Sequence, residues 1–205
     1  MENFDIAGLR AYEIAQNFVM AINGAFFVSR KTGVQPMPSD LELGKRNIQT
    51  ASYLFIKNLN DLINIYDSGA DTQVTQARLD SIAVQLIKKG NNAINTGIAN
   101  GAARMLGNNA HGAMGHLVAK AAQSLDLTVV DSAGRNWKDP SKLVQTIVRD
   151  FHYQREVEAR IEQLKAEGAH FFTAGNRGYT LDLFPEVRAQ LFHPNSTHLP
   201  ERFDV

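Results

Sequence analysis

The fourteen residues LTVVDSAGRNWKDP, numbers 127–140, decide how this chain is read. Leu127 to Val130 is short and rich in β-branched residues, so it predicts a strand. Asp131-Ser-Ala-Gly134 has the residue types of a tight turn. Asp139 suits a helix N-cap and Pro140 the first helical position. Leu143, Ile147 and Phe151, then Val157, Ile161 and Leu164, recur on one face, so the spacing predicts a helix over 140–167, ended by Gly168. Glu156 and Arg160 stand four apart, the spacing of a helical ion pair. Trp137, the only tryptophan, is expected to plug the joint between strand and helix.

Outward from this stretch, most of the chain reads as helix. Leu9, Ile14, Phe18, Ile22 and Phe26 predict a first helix over 6–28. Gly33, Pro36 and Pro38 mark a loop. Ser39 and Glu42 form a capping box for a second helix, with Ile48, Phe55, Leu59, Leu62 and Tyr66 as its buried face. A third helix is expected over 71–89, buried through Leu79, Ile82, Ala83 and Leu86 and stopped at Lys88-Lys89-Gly90. Glycine and alanine then become dense. Gly97 and Gly101 are expected on one helix face, where small side chains allow close packing within the chain or against a partner. A short helix is expected over 113–124.

Past Gly168 the reading turns to strands near 169–173 and 179–183, joined by a Gly175-Asn-Arg-Gly178 turn. Residues 185–192 read as one helical turn or as irregular. Residues 193–205 hold two prolines and read as an extended tail, either disordered or docked on a partner. The fold class is therefore mainly α: a helical N-terminal two thirds with a small α+β C-terminal part. Residues 1–90 form a helical region and 91–205 an α+β region, with one compact domain as the alternative.

Composition narrows the function classes. Formal net charge is zero, with 21 basic and 21 acidic residues, which argues against nucleic acid as the main partner and leaves self-association unopposed. The absence of cysteine excludes disulfides and thiolate chemistry. The most apolar window, 18–28, is too short for a membrane span, and the acidic start lacks the positive charge of a secretory signal.

Candidate chemistry is thin. His111 and His116 are five apart, as are His193 and His198. That spacing puts helical rings about 140° apart, so these are weak metal candidates. Ser132, Arg135 and His152 make an acyl-transfer set only if the fold gathers them. The 175–178 turn, with Arg177, has the residues to hold an anion, but a plain hairpin turn is the simpler reading. No cofactor motif occurs.

One resemblance adds to this. Asp131, Gly134, Arg135 and Trp137, followed by Val144-Gln-Thr-Ile-Val-Arg149, resemble the strand, turn and helix of bacteriophage minor capsid and head-morphogenesis proteins of the Mu F-like group. Ala93 to Gly101 is similar to that family's small-residue helix. The match runs from about Asn92 onward. Many members carry a Cys/His cluster after the last strand. Here only His193 and His198 lie there, so no metal role is carried over. The resemblance implies a non-enzymatic structural protein that binds portal, capsid or neck proteins, made in the bacterial cytoplasm and built into the virion. Asp131, Gly134, Arg135, Trp137, Gly97 and Gly101 are then structural or interaction residues. The residues alone also admit a small enzyme, with His111, His116, His152 and Arg135 as candidates, or a regulatory binding module.

Overall fold

The computed structural model describes residues 3–25, 38–64, 70–105, 125–175, 177–193, 196 and 198–203. In chain order these form α1 (Asn3–Gly24), α2 (Pro38–Ile63), α3 (Ala70–Met105), β1 (Val129–Val130), β2 (Asn136–Trp137), α4 (Pro140–Ala166), β3 (Phe171–Ala174), β4 (Arg177–Thr180), a 3-10 turn (Leu181–Leu183), α5 (Phe184–Leu191) and β5 (Glu201–Arg202). The fold is mainly α with short antiparallel strands in the C-terminal part, as expected. The predicted short helix over 113–124 and the loop before Pro38 lie outside the described residues.

α1 buries Phe4, Ala7, Gly8, Ala11, Ala15, Phe18 and Ile22, a stripe recurring every three or four residues. The expected face was wrong at Leu9, which is 43% exposed. The real seam is built on alanines, because α4 comes very close. A Cβ added at Gly8 would lie 3.0 Å from Arg149 Cβ. Asp5 and Arg149 bridge the same pair of helices at 2.8 Å. Two cores result. The first joins α1, α2, α3, β1 and the first half of α4, and Phe18 stacks on Phe55 at 4.9 Å inside it. The second gathers Phe4, the later half of α4, Phe172 of β3, Phe184 and Phe192. α4 therefore belongs to both, and side chains from either side of residue 90 share the first core.

The predicted stop at Gly90 is corrected. α3 runs on to Met105, and Gly90 is a buried interior residue. A Cβ there would meet Ile48 Cδ1 at 3.1 Å and Ile22 Cγ2 at 3.2 Å. Glycine costs a helix interior roughly 1 kcal/mol against alanine. Here its missing side chain lets three helices meet, which the terminator reading overlooked.

α4 begins and ends nearly as read. The Asp139 carboxylate accepts from Ser141 N at 3.0 Å, with Pro140 in the first turn. At the other end Gly168 takes φ +70°. Its N–H donates to Lys165 O and that of Ala169 to Leu164 O, both at 3.0 Å, a Schellman closure that needs the left-handed glycine. The expected Glu156–Arg160 pair is corrected: Arg160 donates to the Pro200 carbonyl at 3.3 Å and lies 3.9 Å from Glu167.

β3 is the centre of a three-stranded antiparallel sheet of order β4-β3-β5. Phe172 faces Tyr179 on β4 and Arg202 on β5. The predicted strand over 179–183 is shifted: β4 ends at Thr180 and residues 181–183 form a 3-10 turn leading into α5. Residues 198–203 correct the tail reading. They dock on this chain itself, with the Tyr153 hydroxyl donating to the His198 carbonyl at 2.7 Å and β5 pairing with β3.

Candidate functional site

Asp131 organises the 129–137 hairpin. Val129 pairs with Trp137 and Val130 with Asn136. The connection closes through Asp131 N donating to Arg135 O and Gly134 N donating to Asp131 O, both at 3.0 Å. Gly134 adopts φ +79°, the left-handed residue that follows the turn in three-residue hairpin connections. Its glycine is required there because an L side chain is strained in that region.

The Asp131 carboxylate is then filled from inside the loop. Oδ1 accepts from Ala133 N and Arg135 N, both at 2.9 Å. Oδ2 accepts from Arg135 Nε at 2.8 Å and Trp137 Nε1 at 3.0 Å. Four donors on two oxygens use the full acceptor capacity of a carboxylate. The side chain is 4% exposed, while that of Arg135 is 70% exposed. The indole N–H of Trp137, then the Arg135 backbone N–H, hold this carboxyl far below the ordinary carboxylate range. Trp137 itself is half-buried and packs against the first core, with the Arg135 guanidinium 6.0 Å from its ring centre. It sits on β2, a strand missed in the sequence, two residues before the Asp139 cap of α4.

A second omission is Gln85. Its Oε1 accepts from Val130 N at 2.8 Å and its Nε2 donates to Val130 O at 2.9 Å. One side-chain amide from α3 thus serves β1 as a neighbouring strand would. The partners lie 45 residues apart, so no local pattern signals the contact. Lys89 adds a bond from the same helix to the Asp126 carbonyl at 3.1 Å.

The other candidates do not join this loop. His152 is buried, and its Nε2 lies 3.1 Å from the Leu62 carbonyl, which places the ring proton on that nitrogen. Burial lowers its pKa, against the effect of that bond. Arg135 is exposed on the hairpin, so the Ser132, Arg135 and His152 set does not assemble. Gly97 and Gly101 lie within α3, and their surroundings are not among the described features. His111 and His116 lie outside the described residues. His198 offers its backbone carbonyl to Tyr153, and His193 is exposed at the end of α5. Arg177 stands exposed on β4, next to a Gly175 with φ +64°. Among the described residues no group of three or more His, Asp or Glu is placed to hold a metal ion. No helix among them is long and apolar enough to cross a membrane. No family model, curated protein or solved structure matches the chain.

Proposed function

We propose that this chain is a non-enzymatic assembly protein of a bacteriophage particle, a minor head or neck component that binds portal or capsid proteins. The observation that supports it most is the closure of the Asp131–Trp137 hairpin on itself. A catalytic carboxylate needs a lone pair directed at a substrate. Every acceptor position of Asp131 is instead directed at its own loop. The motif that resembles the minor capsid family thus ties β1 to β2 through its own loop. Rigid shape, with apolar and polar surface matched to a neighbour, is what an assembly contact requires.

The test is the composition of the particle. Virions from the source culture, purified through a density gradient, are analysed by quantitative mass spectrometry. The chain is expected in the particle band at a fixed ratio to the portal protein. Its absence from particles, with the chain present in the soluble lysate, would reject the assignment.

A further inference from the structure

An open cleft of about 470 Å3 lies between the first turns of α3, the middle of α4 and α5. Small-molecule sites run from ~300 to 1,000 Å3. Val74 of α3, Ile147 and Phe151 of α4, Pro185 of α5 and Phe192 form the apolar part of its walls.

The polar groups around it divide into two sets. One is already engaged. Arg188 pairs with Glu158 at 2.6 Å and donates through Nε to Gln154 Oε1 at 3.1 Å. Arg155 pairs with the same Glu158 at 3.3 Å and lies over the Phe151 ring. Gln154 Nε2 donates to the Phe192 carbonyl at 2.6 Å. The other set is Arg78 and Asp150, both half-buried, and Asp71, which is exposed. Among the described residues Arg78 forms no hydrogen bond, and no ion pair within 4.0 Å. Asp150 accepts only a long bond from Gln154 at 3.5 Å and likewise has no ion pair within that distance. Burial holds its carboxyl above the ordinary range, although the Gln154 bond and then Arg78, Arg149 and Arg188 act the other way.

Away from the exposed Asp71, a ligand in this cleft meets one half-buried cation and one half-buried anion with capacity to spare. A simple anion would satisfy Arg78 but face Asp150. A simple cation would do the reverse. A neutral apolar molecule would desolvate both charges without return. A ligand with both signs and an apolar body meets all three demands. We propose that the cleft binds a free α-amino acid with an apolar side chain, its carboxylate on Arg78, its ammonium on Asp150 and its side chain against Ile147, Phe151 and Phe192. Guanidinium and carboxylate match in planar, two-point geometry. The site does not rest on the assembly reading, and neither outcome below bears on particle composition.

The experiment is calorimetric titration of the full chain with L-phenylalanine, N-acetyl-L-phenylalanine and L-phenylalaninamide. Saturable binding of the free amino acid is expected, with a Kd of about 1 mM or tighter. Each blocked form should bind about tenfold more weakly or worse, because each leaves one half-buried charge uncompensated. Arg78→Gln should abolish discrimination against the amide, and Asp150→Asn that against the acetylated form. No saturation at about 10 mM free amino acid, roughly ten times that Kd, would overturn the proposal. Binding indifferent to both blocked ends would overturn it equally, and those comparisons on the unaltered chain hold even if a variant fails to fold.

Discussion

Replacing Gln85 by glutamate should turn the brace under β1 into a pH-dependent one. The amide now meets both backbone groups of Val130, at 2.8 and 2.9 Å. Each such bond contributes about 0.5–1.5 kcal/mol net. Val130 is 43% exposed, so water competes and the low end applies. In Gln85→Glu at pH 7 the carboxylate still accepts from Val130 N. Its second oxygen, however, faces the Val130 carbonyl with no proton between them. The loss should be about 1–2 kcal/mol against the unaltered chain. Lys89, one turn further along α3, would return roughly 0.3–0.5 kcal/mol by pairing with the charge.

Protonation restores the pattern, because a neutral acid offers one donor and one acceptor. The neutral form is favoured in the folded state, so the folded pKa of the introduced carboxyl lies above its unfolded value. A raised folded pKa means the stability is present below the unfolded value, about 4.3, and is lost as pH rises through the folded one. Thermal unfolding by circular dichroism, at pH 4 and pH 7, measures this. At pH 7 the variant should melt roughly 1–7 °C below the unaltered chain, and at pH 4 the gap should close. Gln85→Ala is the control, since it lacks both bonds at every pH and its deficit should not close. A Gln85→Glu deficit that is absent at pH 7, or equal at both pH values, would refute the two-bond account.

Two further outcomes follow from the same structure. Asp131 has a folded pKa far below the carboxylate range, so its contribution is present above about pH 3.9 and is lost as pH falls through the folded value. Asp131→Asn should remove that acid dependence and lower stability at pH 7, with the only tryptophan, bonded to this carboxylate, reporting the loop by fluorescence. An unchanged acid profile would remove Asp131 from that role. Tyr153→Phe deletes the 2.7 Å bond to the His198 carbonyl and should cost about 1–2 kcal/mol in chemical denaturation, with faster proteolysis within 198–203. Unchanged cleavage there would show that β5 holds the segment without it.

The long helices were legible because their signals are local. Asp139, Pro140 and Gly168 bound α4 through chemistry within a few residues of each end. Gly90 shows the limit of such signals. A glycine after two lysines has the look of a helix stop, yet the same missing Cβ admits Ile22 and Ile48 from two other helices. Only the tertiary arrangement separates those uses. In the hairpin the turn was legible from Asp131 and Gly134, whereas β2 was not. Two paired residues cannot hold a strand by propensity, and this pair depends on the Asp131 carboxylate and on Gln85.

The docking of the tail was hidden for a different reason. Arg149, Tyr153 and Arg160 each donate to a backbone carbonyl, those of Ser196, His198 and Pro200. Every residue type carries that acceptor, so the segment needs no recognisable side-chain pattern to be held. The donors stand on α4, where arginine and tyrosine between apolar positions look like an ordinary solvated flank. What marks them is direction. Arg149, Tyr153 and Arg160 are spaced by four and seven residues, one line along the helix, and the tail follows that line to reach the edge of β3. A helix flank with such a line of donors, followed in the chain by a proline-bearing polar segment, is a pairing that sequence reading can look for. Its physical content is three backbone acceptors met in order, not any one motif.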